Sequence, residues 1–218
     1  MKKKCQNCRL VNYPTATVCA RCSSSLDGSK AEGSDGRPAS ARILRRATIC
    51  MFAALAAIAG FYVSLVFSAD KLSFDEKAAV RNSIDILEAR GFTSEAFLLR
   101  HIAVFRSSDN WLNASVVKED AFAATNFPFE IVTLYPDFFT YPADDVERAA
   151  ILLHEAKHLQ GADEKEAYAF VWENRHNLGW TSENYNNSVV WAEVRKQTRE
   201  QAPGLFVCTV NSFGDCTE

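Results

Sequence analysis

Residues 47–69 form a run of 23 residues without a charge, between Arg46 and Asp70. That length matches a helix crossing a bilayer, and helices buried in soluble domains seldom stay uncharged for so long. A cleaved leader does not fit. The run is too long, it starts beyond a cysteine-rich module, and Phe67 spoils a small-residue cleavage site. After Asp70 the pattern turns amphipathic. Ser73 and Glu76 predict a capping box for a helix over 73–90, with Val80, Ile84 and Leu87 as its apolar stripe and Gly91 as its stop. A second helix starts near Thr93 and carries Phe97 and Leu98. Residues 130–135 are β-prone and end at Pro136, and 135–142 is a turn-rich aromatic stretch fit to wall a pocket or to join the core. Asp144 and Glu147 predict a second capping box, followed by the stripe Val146, Ala149, Ala150, Leu153 and Ala156 and by a left-handed stop at Gly161. Trp172, Trp180 and Trp191, with Phe170 and Val171, predict one core for the helices beyond. The 149 residues from 70 to 218 suffice for one compact domain, and the mixture of periods makes it α+β.

The helix before Gly161 carries the pentapeptide His154-Glu155-Ala156-Lys157-His158. Histidines four apart project from one helix face, close enough to ligate one zinc ion. Glu155 sits about 100° round the helix, where a carboxylate can act as general base toward water. A catalytic zinc site needs a third protein ligand and keeps its fourth position open. Glu164, Glu166 and Asp163 are the candidates. Glu166 has a competing use as the capping-box partner of Asp163 at the start of the next helix. Farther on, His176 and Tyr185 are candidates for polarising a substrate carbonyl.

The stretch HEAKHLQGADEKEAY resembles the metzincin spacing His-Glu-x-x-His-x-x-Gly-x-x-His, with Glu164 in place of the last histidine. A carboxylate there makes the set His-His-Glu, as in gluzincins. Glu164-Lys165-Glu166-Ala167-Tyr168 also resembles the Glu-x-x-Ala-Asp signature of integral-membrane and minimal gluzincins, with Tyr168 replacing the aspartate. Both resemblances select Glu164. Two departures stand against a named family: no methionine follows Met51, which excludes a Met-turn, and Lys157 charges a position that such peptidases leave uncharged. The resemblance covers residues 129–180 and implies a zincin-like domain. In zincins the strand before the active-site helix is commonly a sheet edge that holds extended substrate, so 130–135 is expected at an edge, ready for β-augmentation.

At the other end, Cys5 and Cys8 are two residues apart, as are Cys19 and Cys22, with ten residues between the pairs. Four thiolates at this spacing close a tetrahedral structural zinc site, and a module this short needs the metal because it cannot bury a sufficient core. With Asn12 between the pairs, the module resembles a RanBP2-type zinc finger, although Lys3 stands where that pattern has tryptophan. Its single aromatic, Tyr13, makes a poor base-stacking surface, so the expected partner is a protein and not nucleic acid.

The overall pI near 5.9 conceals a split. Residues 1–46 carry ten Lys/Arg against three Asp/Glu, whereas 70–218 carry fourteen against twenty-four. Arg42, Arg45 and Arg46 abut the apolar run, so the positive-inside bias puts the N-terminus in the cytoplasm and the large domain outside. The expected organisation is a zinc ribbon at 1–24, a flexible basic linker at 25–46, a membrane helix at 47–69 and an extracytoplasmic domain at 70–218. An oxidising outer compartment favours pairing of Cys208 with Cys216. The expected function is a membrane-anchored zinc metallopeptidase acting on a peptide or protein, with one catalytic and one structural Zn2+. The alternative, motivated by Lys157 and by the open choice of third ligand, is a non-catalytic metal-stabilised envelope scaffold or sensor with a cytoplasmic zinc-ribbon interaction module.

Overall fold

The computed structural model describes residues 2–27, 39–115 and 121–207. The expected Cys208–Cys216 pairing and linker residues 28–38 lie outside the described residues. Two compact units, Met1–Leu55 and Ala56–Glu218, meet within one helix.

The N-terminal unit holds a miniature hairpin, β1 (Lys3–Lys4) antiparallel to β2 (Val11–Asn12). Each cysteine pair sits in the same kind of turn. Cys5 N–H donates to Leu10 O and Arg9 N–H to Cys5 O; Cys19 N–H donates to Ser24 O and Ser23 N–H to Cys19 O. Arg9 and Ser23, the residues after each pair, both take positive φ, 61° and 55°. Asn12 is buried between the two turns, its Oδ1 accepting from Ala20 N–H and its Nδ2 directed at Cys19 Sγ, 3.6 Å away. This explains an asparagine at that point of the spacing.

Helix α1 (Ala39–Ser68) includes a segment, Ile43–Ser68, that is long and apolar enough to cross a membrane. In the second unit α2 (Phe74–Ala89) starts at the predicted box, with Ser73 and Glu76 bonded reciprocally. Then come α3 (Thr93–His101), β3 (Val104–Arg106), β4 (Ala123–Asn126), β5 (Ile131–Leu134), α4 (Pro136–Thr140), α5 (Asp145–Leu159), α6 (Glu164–Leu178), α7 (Ser182–Tyr185) and α8 (Val189–Gln201). The domain is α+β and mostly helical.

The sheet order is β3-β5-β4, with β3 parallel and β4 antiparallel to β5. The strand expected at the edge is therefore the central one. All four of its residues are buried, as an unbroken Ile-Val-Thr-Leu run without polar alternation requires. The edge beside the candidate site is β4. The aromatic stretch after β5 forms α4, with Pro136 in its first turn and Phe138 fully buried, and none of residues 135–142 lines the candidate cleft.

Helix α5 is the centre of the domain, packed by α2, α3, α6 and β4. Asp144 caps it by accepting from Val146 N–H and Glu147 N–H. The reciprocal half of the expected box does not form. Glu147 is fully buried and accepts instead from Ala143 N–H, Trp180 Nε1–H and Ser188 Oγ–H. Two donors from beyond α6 outbid the helix's own N-terminus, and no periodicity in the sequence signals them. Trp172, Trp180 and Trp191 pack as predicted, with ring centroids 4.8–6.2 Å apart.

Candidate functional site

The pentapeptide occupies the last turns of α5. His154 and His158 face the same way, with Nε2 atoms 3.0 Å apart. Gly161 then turns the chain. Its φ of 86° lets Gly161 N–H bond His158 O and Ala162 N–H bond Lys157 O, the paired bonds of a Schellman stop. The turn has two consequences. It brings Ala162 O to 3.0 Å from His158 Nδ1, which places a proton on Nδ1 and turns Nε2 toward His154 and Glu164. It also starts α6 beside the histidines, at Glu164.

At that start the three acidic candidates separate. Asp163 is the N-cap and Glu166 its capping-box partner: Glu166 N–H donates to Asp163 Oδ1, and Asp163 N–H to Glu166 Oε2. Glu164 has no part in the cap. Its Oε2 lies 3.3 Å from His154 Nε2 and its Oε1 3.5 Å from His158 Nε2. Zinc bonds of about 2.0–2.1 Å at tetrahedral angles place ligand atoms about 3.3 Å apart. The contacts to Glu164 use different carboxylate oxygens, but one ligand atom from each residue lies within 4.8 Å of the others, so the set could hold a metal ion such as zinc. Hydrogen bonds from both histidines hold the Glu164 carboxyl far below the usual carboxylate range. Burial disfavours the imidazolium of His158, but the bond to Glu164 and the charge of Glu155 push it up to about 9. The buried Nδ1 of His154 has no hydrogen-bond partner; the ring of Tyr168 packs against this imidazole, centroids 4.3 Å apart.

Glu155 is 4% exposed and lines the same cleft. Its Oε2 accepts from Thr125 Oγ1–H at 2.7 Å, a contact from the edge strand that orients the carboxylate. The cleft is about 590 Å³ and is bounded by β4, by Phe122 and Phe127 on either side of it, and by α5, α6 and α8. Tyr168 also lines it. Burial raises the Tyr168 phenol far above its usual range, so it stays protonated and can donate a hydrogen bond. Neither His176 nor Tyr185 is there: His176 is exposed on α6, and Tyr185 donates to Asp144 Oδ2 at 2.7 Å. Lys157 points to Glu95, 3.7 Å away, and lies over the Phe170 ring, and it is not among the residues lining the cleft. Thr125, Phe127 and the Ala162 carbonyl went unseen in the sequence, since each joins the site through a tertiary contact; Tyr168 was visible only as a substituted motif position.

The ribbon brings its four thiols together, Cys5 to Cys22 at 3.6 Å and Cys8 to Cys19 at 3.4 Å, with all four sulfurs within 4.8 Å of one another. Tetrahedral thiolates on zinc lie about 3.8 Å apart, so this cluster can hold such an ion. The Arg21 amide pulls the Cys19 thiol down to about 6, while burial and three neighbouring sulfurs push Cys8 up to about 12 against the amide of Leu10. Four sulfurs this close could hold a metal ion such as zinc.

Comparison of the chain with protein-family models, with curated proteins and with solved structures found no match.

Proposed function

We propose that the chain is a membrane-anchored zinc metallopeptidase of zincin-like design, with the ribbon as a second, structural zinc module. The observation that carries the reading is the convergence of His154, His158 and Glu164 on one point, beside a buried Glu155 in an open cleft. These three residues would hold a zinc ion, whose chemistry there would be to acidify a water and polarise a carbonyl. Glu155 takes a proton from the attacking water and delivers it to the leaving amine, with Thr125 holding the carboxylate in place. Tyr168 is positioned to donate to the oxygen on which charge develops, the role that His176 and Tyr185 are too remote to fill. An extended peptide can add to β4, which among the described residues is an edge strand and runs along the cleft. Lys157, the residue that favours a non-catalytic scaffold, is engaged elsewhere and lends that reading no support.

The charge asymmetry on either side of the apolar segment supports a cytoplasmic ribbon and an outer peptidase. The ribbon recruits a protein partner.

The test uses the full chain. It is expected to bind two zinc ions, with one lost in His158→Ala, and Glu155→Gln should keep both while losing at least about a thousandfold in cleavage of a quenched-fluorescent peptide library. Unchanged zinc content in His158→Ala, or full activity in Glu155→Gln, overturns the reading.

A further inference from the structure

The last turns of α1 are packed against the domain. Leu65 is fully buried, Arg106 Nε–H donates to Val66 O at 2.9 Å, and the Trp111 indole N–H donates to Ser64 Oγ at 3.3 Å. Phe61 stacks on both Trp111 and Phe129, centroids 5.7 and 5.5 Å away. These contacts orient the sheet relative to the helix axis. Phe129, in the β4–β5 turn, is level with Phe61, whereas Arg106, which pairs in register with Thr133 farther along β5, is level with Val66. Going from the turn along β5 therefore means going toward the end of α1. The turn points back toward the middle of the apolar segment. Phe61 lies seven residues before Ser68, about 10 Å along the axis at about 1.5 Å per residue.

The composition of this hairpin agrees. From Ala121 to Pro136 it has one charge, Glu130. Phe127 at the tip is 58% exposed, and Trp111 beside the helix is 51% exposed. Aromatic side chains in this position form the interfacial belt of a membrane protein.

We infer that the β4–β5 turn is inserted in the outer leaflet next to the protein's own span, so that the cleft opens at the bilayer surface and serves the juxtamembrane stretch of a membrane-anchored polypeptide. The cleft runs along β4 from Phe122 at its outer end to Phe127 at its membrane end. A strand added to the free edge of β4 then rises out of the bilayer, past Glu155 and the histidines. A chain emerging from a neighbouring membrane anchor has this course. The substrate class rests on the peptidase reading; the insertion does not.

The insertion is tested on the full chain in nanodiscs. Trp172, Trp180 and Trp191 are buried, so Phe127→Trp in a Trp111→Phe background adds one exposed indole at the turn. Lipid carrying a shallow nitroxide should quench that added emission at least twofold more than aqueous iodide does. Quenching by iodide and not by lipid overturns the insertion. The same nanodiscs, carrying the unsubstituted protein with its zinc content measured, test the substrate class. A peptide displayed on a single-span anchor should be cut at least tenfold faster than the same peptide free in solution. Equal rates overturn the substrate class. Cleavage of neither, with two zinc ions bound, counts against the peptidase reading, while the quenching decides the insertion by itself.

Discussion

Glu164 and Glu166 lie two positions apart on one helical turn and do different work because only one of them faces α5. Glu164→Ala is expected to lower zinc affinity at the histidine site by at least about a hundredfold, read by competition with a chromophoric chelator, with little effect on folding. Glu166→Ala should do the reverse. It removes half of the α6 capping box and costs about 0.5–1 kcal/mol in chemical denaturation, with zinc retained. A matching loss of zinc in both variants would show that the cap, and not ligation, is what Glu164 serves. Thr125 is the other informative residue. It bonds Glu155, the proposed general base, so on that proposal Thr125→Val should lower kcat about tenfold with KM and zinc content nearly unchanged.

The turn between α5 and α6 is the element on which the site depends. Without a left-handed residue at Gly161, Ala162 O would not reach His158 and α6 would not begin with Glu164 beside both histidines. A methyl group at Gly161 would meet no atom within 4 Å, so the cost of Gly161→Ala is conformational, set by the φ of 86° at about 1 kcal/mol. The expected result is a modest drop in denaturation midpoint with a disproportionate, severalfold or larger, weakening of zinc binding. A variant that lost stability but bound zinc as before would mean that the turn only ends a helix. The neighbouring elements are held in place from within: buried Glu147 ties the start of α5 to Trp180 and to Ser188 at the head of α8, and three tryptophans fill the space between.

For the whole molecule, the charge split predicts a single topology. Arg42, Arg45 and Arg46 on one flank, against Asp70 on the other, should hold the ribbon on the cytoplasmic side. In intact cells an impermeant thiol reagent should label a cysteine placed at Ser182 and spare one placed at Tyr13; the opposite pattern overturns the orientation. The last turns of α1 pack against the second unit through Arg106, Trp111 and Phe129. The helix that is long and apolar enough to cross a membrane is thus also one on which the domain is seated.

Local rules carry a good part of this protein. Uninterrupted apolarity marks the span, the cysteine spacing marks the ribbon, and Ser73, Asp144, Asp163 and Gly161 mark helix ends, because capping and turning are decided within a few residues. The two histidines and Glu155 were legible for the same reason, since helical spacing fixes which side chains share a face. What local rules could not supply is pairing across distance. A mostly apolar strand is as compatible with an edge as with a centre until its neighbours are known, and β5 became central only when β3 and β4 closed on both sides. Glu147 reads as a cap until two distant donors draw it inward, and Tyr185 reads as a catalytic candidate until Asp144 claims its hydroxyl. Recruiting Thr125 and Tyr168 and seating the hairpin against α1 were decisions of the tertiary structure, because each depends on residues that only folding brings within a few ångströms.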